Sequence, residues 1–199
     1  MRCTECGMVS GACLCGSFQP ALLKTRVHIV LHAAELKKAS NTGKIARLLL
    51  SNSALHVHGH VNNQKPTELA LSPGYEPVLL FPGGSEELAP QDHPLELIVP
   101  DASWSQAVLM GRRIPYVKTI RHVHLPAPSP SFVLRRATTG RLSTMESIIR
   151  ALGILEGAEV ERALMETWAH FARALLAERG KIPGTADYAK RDFTQLSPE

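Results

Sequence analysis

The sequence lacks any apolar run approaching the roughly 20 residues that cross a bilayer; its apolar runs are short, such as Val78-Leu79-Leu80-Phe81. The opening residues Met1-Arg2-Cys3-Thr4-Glu5 hold no apolar stretch of the kind that directs export. Neither membrane insertion nor Sec export is expected from this, and a cytoplasmic location is. There is no internal repeat and no large excess of one charge: 22 basic against 18 acidic residues leave a net charge of +4. Cysteines are few, four in 199 residues. A chain of this length hides about 70% of the surface its unfolded form exposes, so its core needs no disulfide staples. In a reducing compartment such thiols stay free for metal or chemistry. The remainder is ordinary globular material, 44% apolar and 20% charged with a mean hydropathy of −0.04. That composition excludes disordered and fibrous classes and argues for one main domain.

The charge is small in total but unevenly spread. Residues 1–60 carry 7 basic against 2 acidic side chains, residues 61–110 carry 1 against 7, residues 111–150 carry 8 against 1, and residues 151–199 carry 6 against 8. Two basic blocks therefore flank an acidic one. A fold that gathers Arg47, Arg112, Arg113, Lys118, Arg121, Arg135, Arg136 and Arg141 would present one positive face suited to a phosphate backbone. Scattered, solvated arginines are the alternative.

Strand-like and helix-like segments alternate along the chain. Arg26 to His32 has the β-branched content of a strand, and Lys44 to Leu50 is helical in composition. Leu55 to Val57, Val78 to Phe81, Leu95 to Val99 and Thr119 to Leu125 read as further strands. Helices are expected from near Ser103, from Ser143, and from Ala158 to Glu178, where Val160, Leu164, Trp168, Phe171 and Leu175 recur at helical spacing as one buried stripe. The pattern predicts an α/β domain with a mostly parallel sheet flanked by helices. In such sheets ligands lie at the carboxyl ends of the strands. The expected division is a cysteine cluster over 1–18, an α/β domain over 19–182 and a polar tail over 183–199.

Three motifs could carry chemistry. All four cysteines fall within Cys3-x2-Cys6-x6-Cys13-x-Cys15, a clustering that tetrahedral zinc explains, because a metal with four sulfur ligands folds a segment with no core of its own. A redox pair or reactive surface thiols are the alternatives. Asp101-Ala102-Ser103-Trp104 stands where a buried strand meets a helix; either Asp101 or Ser103 could simply cap that helix, or Asp101 could present a carboxylate to a ligand while Trp104 offers a flat face. Ser143-Thr144-Met145-Glu146 fits the capping box S-x-x-E, in which Glu146 reaches back to a backbone N–H. Two other patterns are set aside. After His56-x-His58-x-His60 no carboxylate follows closely and Gly59 interrupts the strand, and Asn41-Thr42-Gly43-Lys44-Ile45 lacks the upstream glycine and following hydroxyl of a P-loop.

Taken in order, the cysteine head, His32-Ala33-Ala34-Glu35, Asn41-Thr42-Gly43-Lys44, Leu80-Phe81-Pro82, Asp101-Ala102-Ser103-Trp104 and Leu142-Ser143-Thr144-Met145-Glu146 resemble the DTW-domain family over residues 1 to about 155. The resemblance departs at three points. The D-x-T-W signature has serine for threonine, which keeps the hydroxyl; H-P-x-E has lost its proline; and Lys44 replaces an arginine, keeping charge without the bidentate fork.

That resemblance implies a knotted fold related to the SPOUT methyltransferases. It implies transfer of the 3-amino-3-carboxypropyl group of S-adenosylmethionine to N3 of a tRNA uridine. The donor is then expected against Phe81, Pro82, Gly83, Ser103, Trp104, Thr144 and Glu146. Asp101 is expected either to accept the N3 proton or to orient a reactant. Arg47, Arg112, Arg113, Arg135, Arg136 and Arg141 are expected on tRNA, and Cys3, Cys6, Cys13 and Cys15 on a structural zinc. No obligate protein partner is expected. A methyltransferase using the same donor and a non-catalytic zinc and RNA-binding module are the alternative readings.

Overall fold

Strand β1, Arg26–His32, is buried on both faces through its five central residues, which is why it reads as an almost unbroken apolar run. A computed structural model of the chain describes residues 1–36, 38, 41–59, 69–126 and 142–180. After β1 come helix α1 (Thr42–Leu49), β2 (Ser53–His58), β3 (Glu76–Leu80), β4 (Glu86–Glu87), β5 (Leu95–Asp101), α2 (Trp104–Arg113), β6 (Arg121–His124), α3 (Thr144–Glu156) and α4 (Ala158–Glu178). The six strands form one parallel sheet in the order β2-β1-β5-β3-β6-β4.

Alternation along the strands divides the core in two. Val27, Ile29, Val78, Leu80, Leu97 and Val99 pack with Ile45 of α1, Ile148 of α3 and Trp168 of α4. Val30, Leu79 and Ile98 pack with Met110 of α2 and with Ile114 and Val117 beside and within the 3-10 turn Pro115–Lys118. The helices therefore sandwich the sheet, as expected. Along α4, Leu164, Trp168, Phe171 and Leu175 are buried, and Val160 is partly buried against them.

Several boundaries differ from expectation, two of them for clear local reasons. Helix α1 begins at Thr42 because the Asn41 side chain accepts from Lys44 N at 3.0 Å and caps it. Strand β6 starts at Arg121, since the Thr119 amide closes the preceding 3-10 turn on Tyr116 O. Strand β4, two glutamates without alternation, forms because the chain before it lies against β6; a Cβ on Gly84 would sit 2.5 Å from the Val123 carbonyl carbon.

The chain entering β3 crosses the α2 side of the sheet and is pinned there by a buried polar group. Glu96 of β5, fully buried, accepts from Ser72 N at 3.2 and 3.1 Å and pairs with His28 Nε2 at 3.1 Å. His28 Nδ1 in turn meets His56 Nε2 at 2.9 Å, with Arg26 3.8 Å from Glu96 on the outer side. Burial, helped by the adjoining His28, pushes the His56 pKa down. A histidine depressed in the folded state contributes stability above its ordinary value of about 6.5, lost as pH falls. We expect denaturant midpoints to fall between pH 7 and 5, and His56→Gln to make that fall shallower. An equally steep fall in the variant would refute this assignment.

Candidate functional site

The connections from β1 and β5 leave in opposite directions, β1 through α1 to β2 and β5 through α2 toward β6. A crevice opens at such a switch point, outside the carboxyl ends of the two strands. Asp101, the last residue of β5, lies in register with Leu31 near the end of β1 and is 7% exposed. Its Oδ2 accepts from Asn41 Nδ2 at 2.8 Å and Gly43 N at 3.1 Å, and its Oδ1 accepts from Thr144 Oγ1 at 2.7 Å. The carboxylate thus fastens the starts of α1 and α3 to the end of β5, where both helix dipoles favour negative charge. Burial raises its pKa against those three donors, and the charge of Glu35 adds to the rise.

The expected capping roles separate here. Ser103 serves the start of α2: its N and Oγ both donate to Gln106 Oε1, at 3.0 and 2.7 Å. Asp101 serves the other two helices. At α3, Ser143 N donates to Glu146 Oε2 at 2.6 Å and Ser143 Oγ accepts from Glu146 N at 3.3 Å. Glu146 is fully buried, so its carboxylate caps a helix rather than lining an open surface. Thr144, beside it, is the residue of that motif that reaches Asp101. Asn41 and Gly43, set aside with the incomplete P-loop, complete the site; the visible signal was an Asn cap with a glycine two residues on.

Next to this clasp stand Phe81, just past β3, and Trp104, first residue of α2. Their rings stack with centroids 6.0 Å apart and planes at 27°, and Trp104 is half exposed. Pro82 and Gly83 follow on the surface, and a Cβ on Gly83 would lie 3.0 Å from Phe81 Cε1. Phe81, Pro82, Gly83, Ser103, Trp104, Asp101 and Thr144 thus come from neighbouring carboxyl ends of the sheet and the helix starts above them.

The basic residues are less unified. Arg47, on the opposite side of the sheet from α2, pairs with Glu5, and Arg121 pairs with Glu76 and Glu86. Neither joins Arg112 and Arg113, which are exposed at the end of α2. Arg113 approaches the carboxyl end of β2: burial, then the charges of His32 and Arg113, push the His58 pKa down. Arg135, Arg136 and Arg141 lie outside the described residues, as do His60 and the tail from Pro183.

At the other end of the molecule the four cysteines converge. Their sulfurs all lie within 4.8 Å of one another, with Cys3–Cys15 and Cys6–Cys13 at 3.8 Å. A tetrahedron of sulfurs about 2.3 Å from zinc has edges of about 3.8 Å, so the set fits a closed four-thiolate site. Backbone N–H groups of Cys6 and Glu5 hold the Cys3 thiol down to about 6, while burial pushes Cys6 and Cys15 up. Gly7, at φ +76°, turns the knuckle. Cys6 and Met8 are buried in the main core, and Phe18 meets Phe171 of α4 edge-on at 5.0 Å.

The family model of the DTW domain matches residues 1–176, a span that includes the cysteine head, the clasp around Asp101 and nearly all of α4. The chain belongs to the DTW-domain family. No solved structure matches it at a significant level. Membership in the DTW-domain family is consistent with a tRNA-modifying role and suggests an RNA substrate. Among the described residues no helix is long and apolar enough to cross a membrane.

Proposed function

We propose that this DTW-domain protein transfers the 3-amino-3-carboxypropyl group of S-adenosylmethionine to N3 of a tRNA uridine, releasing methylthioadenosine. The observation that supports this most is the convergence of separate DTW segments on one carboxylate: Asn41, Gly43 and Thr144 all bond Asp101 at the switch point, beside the Phe81–Trp104 stack. S-adenosylmethionine supplies a sulfonium with three electrophilic carbons, and the protein selects among them by position. Phe81 and Trp104 offer an aromatic plane to a base. The Pro82-Gly83 turn and Ser103 bring backbone to the same edge, where amides can read a ligand without charge. Asp101 acts by orientation: three of its roughly four acceptor sites are taken, and a proton on Oδ2 would collide with Asn41 Nδ2 and Gly43 N. Arg112 and Arg113, together with Arg135, Arg136 and Arg141, track tRNA phosphates. Cys3, Cys6, Cys13 and Cys15 hold a structural zinc.

Labelling the donor separately in its methyl and carboxyl carbons tests the reaction. The carboxyl label should enter tRNA while the methyl label leaves in methylthioadenosine. Methyl label in the RNA would make the protein a methyltransferase. Label in neither position, with tRNA binding intact, would make it a non-catalytic module.

A further inference from the structure

The transfer leaves a proton unassigned. As the bond from N3 to the propyl carbon forms, the carbon–sulfur bond breaks with its electron pair going to sulfur, and N3–H must be lost to a base. Asp101 is buried and bonded by three donors, and protonating it would weaken the charge-assisted bonds that hold α1 and α3. Glu146 is fully buried in its helix cap.

Glu35 is placed differently. It ends the 3-10 turn Ala33–Glu35, which follows β1 directly, so it stands past the strand whose Leu31 is level with Asp101. Its charge reaches Asp101. The side chain is 13% exposed and its Oε1 accepts from Lys38 Nζ at 2.6 Å. The turn carrying it is held from three sides: His32 Nδ1 accepts from Ala34 N at 3.2 Å, Lys44 Nζ donates to Leu36 O at 2.9 Å, and Asn41 N donates to Lys38 O at 3.0 Å. A base fixed this firmly is positioned before the substrate arrives. Among the described residues, the charged and titratable groups around it are Lys38, Asp101, His32 and Lys44.

We propose that Glu35 is the catalytic residue that accepts the uridine N3 proton, with Lys38 holding its carboxylate in place and Asp101 fixing the crevice in which the two reactants meet. This assignment rests on the aminocarboxypropyl-transfer reading. The proton passes from N3 to the Glu35 carboxylate during attack and then to solvent, so charge balances without a further reactant.

The test uses the full chain, tRNA and carboxyl-labelled S-adenosylmethionine. At neutral pH, Glu35→Gln should transfer label at least a hundredfold more slowly while its affinities for tRNA and for the donor stay within threefold of wild type. Its rate should then climb about tenfold per pH unit up to the ionisation of uridine N3 itself, as expected when only pre-ionised substrate reacts. Glu35→Ala should recover activity with added formate, a response that a structural role would not give. Near-wild-type turnover of Glu35→Gln at neutral pH would overturn the proposal, as would a loss matched by lost tRNA or donor affinity, or the absence of both the pH climb and the formate rescue. Wild-type protein that transfers no carboxyl label would instead bring down the parent reading, and this assignment with it.

Discussion

Gly43→Ala should lower the melting temperature by about 10 °C and slow carboxypropyl transfer by two orders of magnitude or more. A Cβ at residue 43 would overlap Asp101 Oδ2, and it would lie 2.9 Å from Ile29 Cγ2 and 3.2 Å from Asp101 Cγ. None of these can give way cheaply. Ile29 is fully buried in the sheet, and Asp101 is held from the other side by Thr144. Overpacking of this kind costs about 1–3 kcal/mol. Pulling a buried carboxylate off its donors adds about 1.5–3 kcal/mol for each charge-assisted bond, so about 4 kcal/mol is a fair total. At about 2–4 °C per kcal/mol for a chain of this size, the melting temperature moves by the stated amount. The rate falls because the start of α1 shifts on the scale of an ångström, enough to cost about a hundredfold when reacting groups must be aligned. Gly111 in α2 is the control: nothing lies within 4 Å of a Cβ there. Gly111→Ala should instead stabilise the protein by about 0.5–1 kcal/mol through helix propensity. Thermal melts of the two variants side by side decide the matter, and a Gly43→Ala protein that melts with wild type would remove the clasp from the stability of the site.

How much of this could be read in the sequence depends on the range of the forces involved. Elements fixed by local pattern were legible: β1 over Arg26–His32 and α4 over Ala158–Glu178 have the bounds that apolar content and spacing predict, and Ser143 with Glu146 form the expected capping box. The parallel sheet followed from alternation, since strands separated by helices must be joined by crossovers. The cysteine cluster was legible because its ligands are close in sequence as well as in space.

The clasp was legible only as separate pieces. Asp101 meets partners 58, 60 and 43 residues away, and no periodicity carries a contact of that length. A strand-end Asp before a helix reads most naturally as that helix's cap, yet Ser103 is the one that bonds Gln106, which leaves Asp101 for two other helix starts. The expected grouping of Arg47 with Arg112 and Arg113 is not made, for the same reason. Arg47 and Arg112 belong to like-charged blocks in the sequence, but α1 and α2 cover opposite sides of the sheet, a division that charge counting cannot see. Strand β4 was hidden because the close approach of Gly84 to the backbone of β6, not β propensity, sets its pairing.

Removing zinc from the head should lower the melting temperature by about 10 °C, and Cys13→Ser should do the same with loss of the metal. Apart from its sulfurs, the head is held by short backbone bonds, two exposed ion pairs and its apolar contacts with the core. Its backbone closure is Cys3 N donating to Met8 O at 2.7 Å and Ser10 N to Met1 O at 3.0 Å about the antiparallel bridge between Arg2 and Val9, Gly7 N to Cys3 O at 3.0 Å, and the turn bonds from Ala12 N to Val9 O at 2.9 Å and Cys13 N to Ser10 O at 3.4 Å. Outside that knuckle, Arg2 and Val9 N both reach Glu178 at the end of α4, an exposed contact of little worth. What the knuckle secures is apolar: Met8 is fully buried, and Phe18 lies against Phe171. Each such side chain contributes about 1.5–3 kcal/mol by leaving water, so opening the knuckle exposes about 4 kcal/mol of burial, or about 10 °C at the same conversion. Serine at residue 13 removes one sulfur and leaves three, too few for a closed structural site. Metal analysis of fully reduced protein, with melts before and after chelation, measures both halves of the expectation. Clearly less than one zinc per chain, or a Cys13→Ser variant that keeps its metal and its melting temperature, would show that the four thiols hold the head together without zinc.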